Sequence, residues 1–307
     1  MTRVGKMCFV LFLVISISAH GQIKTPYIFI LGVAQDAGFP QAGCYKAHCM
    51  EGWNNKEKRL SATSLAVIDN ENQKKYLFEA TPDLPEQLFL LEREAPNHDL
   101  DGIFITHAHM GHYTGLMYLG KEAMGADQTP VYVMPKLEQY LRNNGPWSQL
   151  VSLKNIVLEP LRDEMPMAVN NLDVIPFLVP HRDEFSETVG FFIYGSKKTV
   201  LFLPDIDKWN RWSTSLIDIV KSTDVLFLDA TFYDNSEINY RPVDLIPHPF
   251  VVETLKKLES LSANEKKKIF FIHMNHTNPM LNPDSEIALK VISKGFNIAK
   301  IGQIFEL

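Results

Sequence analysis

The sequence predicts an α/β fold in which two β-sheets pack face to face and helices cover each of them. Short apolar runs arrive in groups along the chain, the pattern of buried strands, and longer helical stretches sit beside those groups. Composition agrees. Of 307 residues 46% are hydrophobic and 21% charged, enough apolar material for a sizeable core. No linker, internal repeat or low-complexity stretch interrupts residues 22–307, which read as a single domain.

The chain opens on a targeting signal. Arg3 and Lys6 precede the apolar run at 7–19 (MCFVLFLVISISA), and Ala19 and Gly21 put small residues around His20. Residues 1–21 therefore read as a cleavable signal peptide, which places the mature chain in the periplasm or outside the cell. A membrane anchor is the rival reading, but the run falls short of the roughly 20 apolar residues a span needs. No other segment looks membrane-spanning, so no stable span is expected after cleavage.

Residues 27–33 (YIFILGV) then form a strand, followed by a Gly-rich loop at 32–40 (GVAQDAGFP). Two strands at 63–68 and 75–80 flank a polar turn. A helix at 85–93 takes Pro85 in its first turn, where the missing N–H costs nothing. A strand at 102–106 runs into a histidine cluster, and a helix at 114–124 and a strand at 131–134 follow. In the second half, 172–179, 188–194 and 199–203 are successive strands. A helix is expected at 212–221, a buried strand at 225–228, a helix at 250–261 and a buried strand at 269–272.

The chemistry is concentrated in Thr106-His107-Ala108-His109-Met110-Gly111-His112. Alternation in extended chain sends His107 and His109 to one side, and a turn can swing His112 back beside them. Neutral imidazole is a common ligand of zinc and similar divalent ions, and a catalytic site needs about three protein ligands plus an open position. Further candidates each follow a predicted strand: His181, Asp205 and His273. Strand ends are where a rigid scaffold delivers site residues. A solvated His-rich turn is the bland alternative for the cluster.

A His-x-His-x-x-His run, a distant His, an Asp and a final His resemble the metallo-β-lactamase superfamily. Within it, 32–41 (GVAQDAGFPQ), 80–83 (ATPD) and 273–279 (HMNHTNP) resemble pyrroloquinoline quinone biosynthesis protein B and related phosphodiesterase-like members. The resemblance implies an αββα sandwich of two mixed sheets with metals in a cleft at one edge. It implies one ion on His107, His109 and His181, a second on His112 and His273, and Asp205 bridging both. Gly111 stands where the family usually has an Asp ligand, so one ion or two remain open. Asp36 is either a turn residue or the source of the missing carboxylate. The resemblance also offers His248, in a Pro-rich loop, as a proton donor to the leaving group, against the reading of a surface histidine.

A second cluster is Cys44, His48 and Cys49. With His276 these residues could hold a structural zinc, as in some related phosphodiesterases, or the cysteines could form a disulfide or stay free. Arg182 is either a salt-bridge residue or a contact for an anionic substrate. Asp229 reads as a buried carboxylate that orients the site, and Trp209 and Trp212 read as packing residues.

The expected function is a metallohydrolase, with zinc at one or two active-site positions, iron or manganese being alternatives, and water attacking an ester or phosphodiester-type bond. An oxidative iron enzyme and a non-catalytic metal binder are the rivals. A small-molecule substrate is the expected partner, anionic on the reading in which Arg182 contacts it and of open charge on the salt-bridge reading. Formal net charge is −6 at pH 7, which gives no sign of a nucleic-acid face.

Overall fold

The computed structural model describes residues 25–238, 242 and 245–307; the expected signal peptide at 1–21 lies outside the described residues. Strands β1 (Tyr27–Gly32), β2 (Ser64–Asp69), β3 (Lys74–Phe78), β4 (Asp99–Phe104), β5 (Thr129–Val133) and β6 (Ile156–Pro160) build one sheet. Strands β7 (Met167–Val169), β8 (Leu172–Leu178), β9 (Val189–Tyr194), β10 (Thr199–Leu203), β11 (Val225–Asp229), β12 (Ile269–Ile272) and β13 (Asn297–Ile298) build the other. The last strand, β14 (Ile304–Glu306), returns to the first sheet and pairs antiparallel with β1.

Both sheets are mixed in the same way. An antiparallel meander, β1 to β3 or β7 to β10, passes into parallel strands, β3 to β6 or β10 to β13. Parallel neighbours need crossover connections. The helices are α1 (Ala47–Asn54), α2 (Leu84–Glu94), α3 (Met110–Tyr113), α4 (Pro135–Asn143), α5 (Trp147–Ser152), α6 (Leu216–Ser222), α7 (Val251–Lys257), α8 (Ala263–Lys266) and α9 (Glu286–Ser293). Of these, α2 links β3 to β4, α6 links β10 to β11, and α9 links β12 to β13.

Alternation along β1 decides which layer each side chain joins. Ile28 and Ile30 enter the main core, while Tyr27, Phe29 and Leu31 join Leu84 and Leu91 of α2 and Leu137 and Leu141 of α4 in a second cluster. At the centre of the sandwich Phe78 and Phe104 stack at 4.9 Å, and Phe191 stands edge-on to both at 5.5 and 5.7 Å. Burying each such ring is worth about 1.5–3 kcal/mol, so this cluster clamps the sheets together.

The expected αββα architecture is the observed one. Local departures have physical causes. The helix expected at 114–124 is a 3-10 turn, Thr114–Leu119. Gly115 there presses its backbone against Ala80 and Thr81, leaving no room for a Cβ, and Gly120 ends the turn in extended conformation. The helix expected from 212 begins at Leu216, because the Ser215 side chain caps it by accepting from Asp218 N. Among the described residues no helix is long and apolar enough to cross a membrane.

Candidate metal centre

Residues from both sheets meet beyond the carboxyl ends of their strands, the edge where open α/β sheets present their binding residues. β4 delivers His107 and His109, and the short helix α3 swings His112 back, with His112 N donating to His109 O at 3.0 Å. β8 leads to His181, β10 to Asp205 and β12 to His273. One ligand atom each from His107, His109, His181 and Asp205 lies within 4.8 Å of the other three, and the same holds for Asp36, His112 and His273. Asp205 joins the two groups, with Oδ2 3.4 Å from His107 Nε2, 3.3 Å from His112 Nε2 and 3.7 Å from His273 Nε2.

The imidazoles are oriented from behind. Thr106 Oγ1 donates to Glu79 Oε1 at 2.6 Å and lies 2.8 Å from His107 Nδ1, so it accepts the Nδ1 proton. Thr231 repeats the relay: its Oγ1 donates to Asp229 Oδ1 at 2.7 Å and lies 3.0 Å from His273 Nδ1. His109 Nε2 sits 2.8 Å from Glu184 Oε2, and His112 Nδ1 sits 3.2 Å from Glu79 Oε1. Outer partners of this kind fix the tautomer. They leave Nε2 of His107, Nδ1 of His109 and Nε2 of His112 and His273 as the inward-facing ligand atoms.

Protonation follows burial and charge. In the metal-free protein, burial holds His107 and His273 well below the usual histidine pKa and His181 at about 4, so these rings keep neutral, metal-ready nitrogens. Burial opposes charge on His112 too, but Glu79 and Asp205 outweigh it and raise that pKa well above normal. Asp205 likewise stays ionised despite burial, through His181, His273 and His248. Several buried polar atoms have no hydrogen-bond partner, among them His112 Nε2, His273 Nε2 and Asp36 Oδ1. Orphaned buried atoms are rare in folded proteins and call for an explanation. Nitrogen and carboxylate donors facing one another fit a divalent cation.

His248 is not a surface residue: it is buried and lines a cleft of about 830 Å³ together with Gln35, Asp36, Lys46 and Arg182. Arg182 also pairs with Glu184 at 3.5 Å. Trp209 is buried and donates from Nε1 to Thr254 Oγ1 at 2.8 Å, and Trp212 stacks on Phe177, so both pack. Donor atoms of Cys44, His48, Cys49 and His276 cluster within 4.8 Å, and the two cysteines are free thiols.

The model of the family described as Beta-lactamase superfamily domain matches residues 74–274. This chain belongs to the metallo-β-lactamase superfamily. The superfamily chain is also 25% identical to coenzyme PQQ synthesis protein B of Gluconobacter oxydans (strain 621H), across 91% of this chain and 98% of that protein. Zinc-bound PqqB from Methylobacterium extorquens shares the fold with a TM-score of 0.75 at 19% identity, covering 92% of this chain and 100% of that one. A diphosphatase from the PhnP family does so with a TM-score of 0.65 at 22% identity, covering 92% and 98%.

Sequence reasoning missed Glu79, Thr231, Glu184 and Glu237. Glu79 had a signal: a carboxylate closing the apolar run YLF of β3. Thr231 and Glu184 are ordinary polar residues whose roles depend on distant partners, His273 after the neighbouring strand β12 for Thr231 and His109 from the other sheet for Glu184.

Proposed function

We propose that this superfamily member is a metal-dependent hydrolase that cleaves an ester or phosphodiester-type bond in a small anionic substrate. One observation carries the proposal: ligand nitrogens of His107, His109 and His181 converge with the Asp205 carboxylate, beside a cleft whose wall includes His248, 3.0 Å from Asp205 Oδ1. These four residues hold the first ion, and His112 and His273 face a second position across Asp205. A divalent cation bound there supplies an activated water and Lewis acidity.

The chain's own residues do the rest. Lys46 and Arg182 on the cleft wall attract and orient an anion. Phe232, Ile246 and Pro247 line the same cleft and exclude water from the reacting bond. His248 holds a proton for the leaving group. The likeness to a diphosphatase favours attack at a phosphorus centre.

Cys44, His48, Cys49 and His276 hold a separate structural ion on this reading, zinc by the softness of the donors. The N-terminal signal exports the chain. The likeness to PQQ synthesis protein B favours a second reading, an oxidative enzyme using iron.

Elemental analysis of protein purified without added metal, joined to turnover of bis-p-nitrophenyl phosphate, tests both. Zinc or manganese with turnover that His109→Ala abolishes supports hydrolysis. Iron without hydrolytic turnover supports the oxidative reading, and a chain that stays metal-free under all loading conditions defeats both.

A further inference from the structure

The second ion position lacks a carboxylate from its own histidine motif, since Gly111 stands directly before His112. The space beside Gly111 is nevertheless filled. A Cβ built on Gly111 falls 2.5 Å from Asp36 Oδ1 and closer still to Asp36 Cα. The backbone and carboxylate of Asp36 therefore occupy the volume into which a side chain at 111 would project. Asp36 Oδ1 faces His112 Nε2 at 3.7 Å, and it groups with His112 and His273.

Three further features separate this arrangement from an incidental turn. Asp36 Oδ1, His112 Nε2 and His273 Nε2 are all buried without a hydrogen-bond partner, while His112 and His273 are 1% and 0% exposed. Asp36 is held at φ 37°, in the left-handed region that costs a side chain free energy and that persists only where surroundings enforce it. Enforcement comes from backbone pairing between the Asp36 loop and the His273 segment: Gln35 N donates to Met274 O at 2.8 Å and Met274 N to Val33 O at 2.9 Å. That pairing brings Asp36 and His273 to the same point.

Resting on the metal-centre reading above, we infer that Asp36, from the loop after β1, supplies the terminal carboxylate of a second metal position in place of a side chain at 111. The centre is then dinuclear: His107, His109 and His181 on one side, His112, His273 and Asp36 on the other, Asp205 between. Gly111 is the counterpart of this transfer, required because any side chain there collides with the loop that carries the replacement ligand.

The test is cobalt titration of the full chain, wild type against Asp36→Asn, Asp36→Ala and Gly111→Ala, read by elemental analysis and visible absorption. The thiolate-to-cobalt charge-transfer band separates ions at the cysteine cluster from ions at the imidazoles. Circular dichroism establishes that each variant is folded. Wild type is expected to take two ions at the imidazoles. Both Asp36 variants are expected to keep one and to lose the other, its affinity falling about 100-fold or more, at least the upper end of what losing a ligand's supporting partner costs. Gly111→Ala is expected to lose the same ion by displacing the loop. Asp36 variants that bind two ions with wild-type affinity overturn the inference while the metal reading stands, and so does a wild type with one imidazole-bound ion. A wild type with none overturns both.

Discussion

His248 points Nδ1 at Asp229 Oδ2 across 2.9 Å. Asp205 Oδ1 lies on the same nitrogen's other side at 3.0 Å. Burial opposes charge on this imidazole, yet in the ion-free protein the two carboxylates outweigh it and push its pKa up to about 10. With Nδ1 committed inward, Nε2 is the nitrogen left for the cleft. With ions on Asp205, the Asp229 carboxylate still faces Nδ1 and favours the protonated ring, which can hand a proton to a departing oxygen. Replacement by Ala should lower kcat by about 10²- to 10⁴-fold and leave metal content unchanged. The loss should be larger for an alkyl phosphodiester than for a p-nitrophenyl one, because p-nitrophenolate leaves without help. Equal losses on the two substrates would show that His248 supports structure instead.

Removing the ions should destabilise the fold. Each ion binds side chains that the unfolded chain scatters, so free energy of binding is also free energy of folding. At free metal a thousand times Kd the gain is about 4 kcal/mol per ion. Thermal unfolding of protein treated with chelator, then reloaded, should move the midpoint down and back up. A midpoint indifferent to metal would mean that the imidazoles hold no ion in solution.

How much of this was legible beforehand follows from distance along the chain. His107, His109 and His112 are neighbours in sequence, and their spacing after a strand announced a site. Asp205 and His273 were readable because each ends an apolar run. Asp36 could be read only as an ambiguous loop residue: what decides its role is the vacancy at Gly111, a contact across 75 positions visible only once β1 and β4 lie in one sheet. Periodicity over-extended the helix at 114–124, because it registers apolar spacing and not the backbone contact that Gly115 makes with Ala80 and Thr81.

Glu237, on the cleft wall, predicts a pH effect independent of the metal ligands. Burial raises its carboxyl to about 7, although Thr277 Oγ1 donates to Oε2 at 2.8 Å and Tyr233 N to Oε1 at 2.5 Å. The folded state therefore holds a proton that the unfolded chain gives up near pH 4.5. Its contribution is fully present below that pH and is lost as pH rises through about 7. Glu237→Gln keeps the acceptor and removes the titration. Urea unfolding at about pH 5 and about pH 8 should show the variant gaining on wild type as pH rises. A difference that stays constant with pH would place the Glu237 carboxyl at its ordinary value.

Glu79 ties the two halves of the histidine motif together, and its replacement separates positioning from folding. Its side chain is fully buried, accepts from Thr106 Oγ1 and Thr106 N, and faces His112 Nδ1. Glu79→Gln preserves volume but replaces one carboxylate oxygen with an NH2 group. Thr106 Oγ1 and His112 Nδ1 share Oε1 while Thr106 N uses Oε2, so the amide sets its NH2 either against Thr106 N or against the oxygen position that both ligand-orienting contacts use. Affinity for the ions held by these two imidazoles should fall about 10- to 100-fold. In the ion-free protein Glu79→Ala should in addition cost about 3–5 kcal/mol of stability, because it strands a buried imidazole whose charge the carboxylate had balanced. Metal titration and denaturant unfolding of the two variants read these effects separately. Weakened metal binding in Ala with none in Gln would mean that Glu79 only fills space, since packing survives the isosteric change and charge does not.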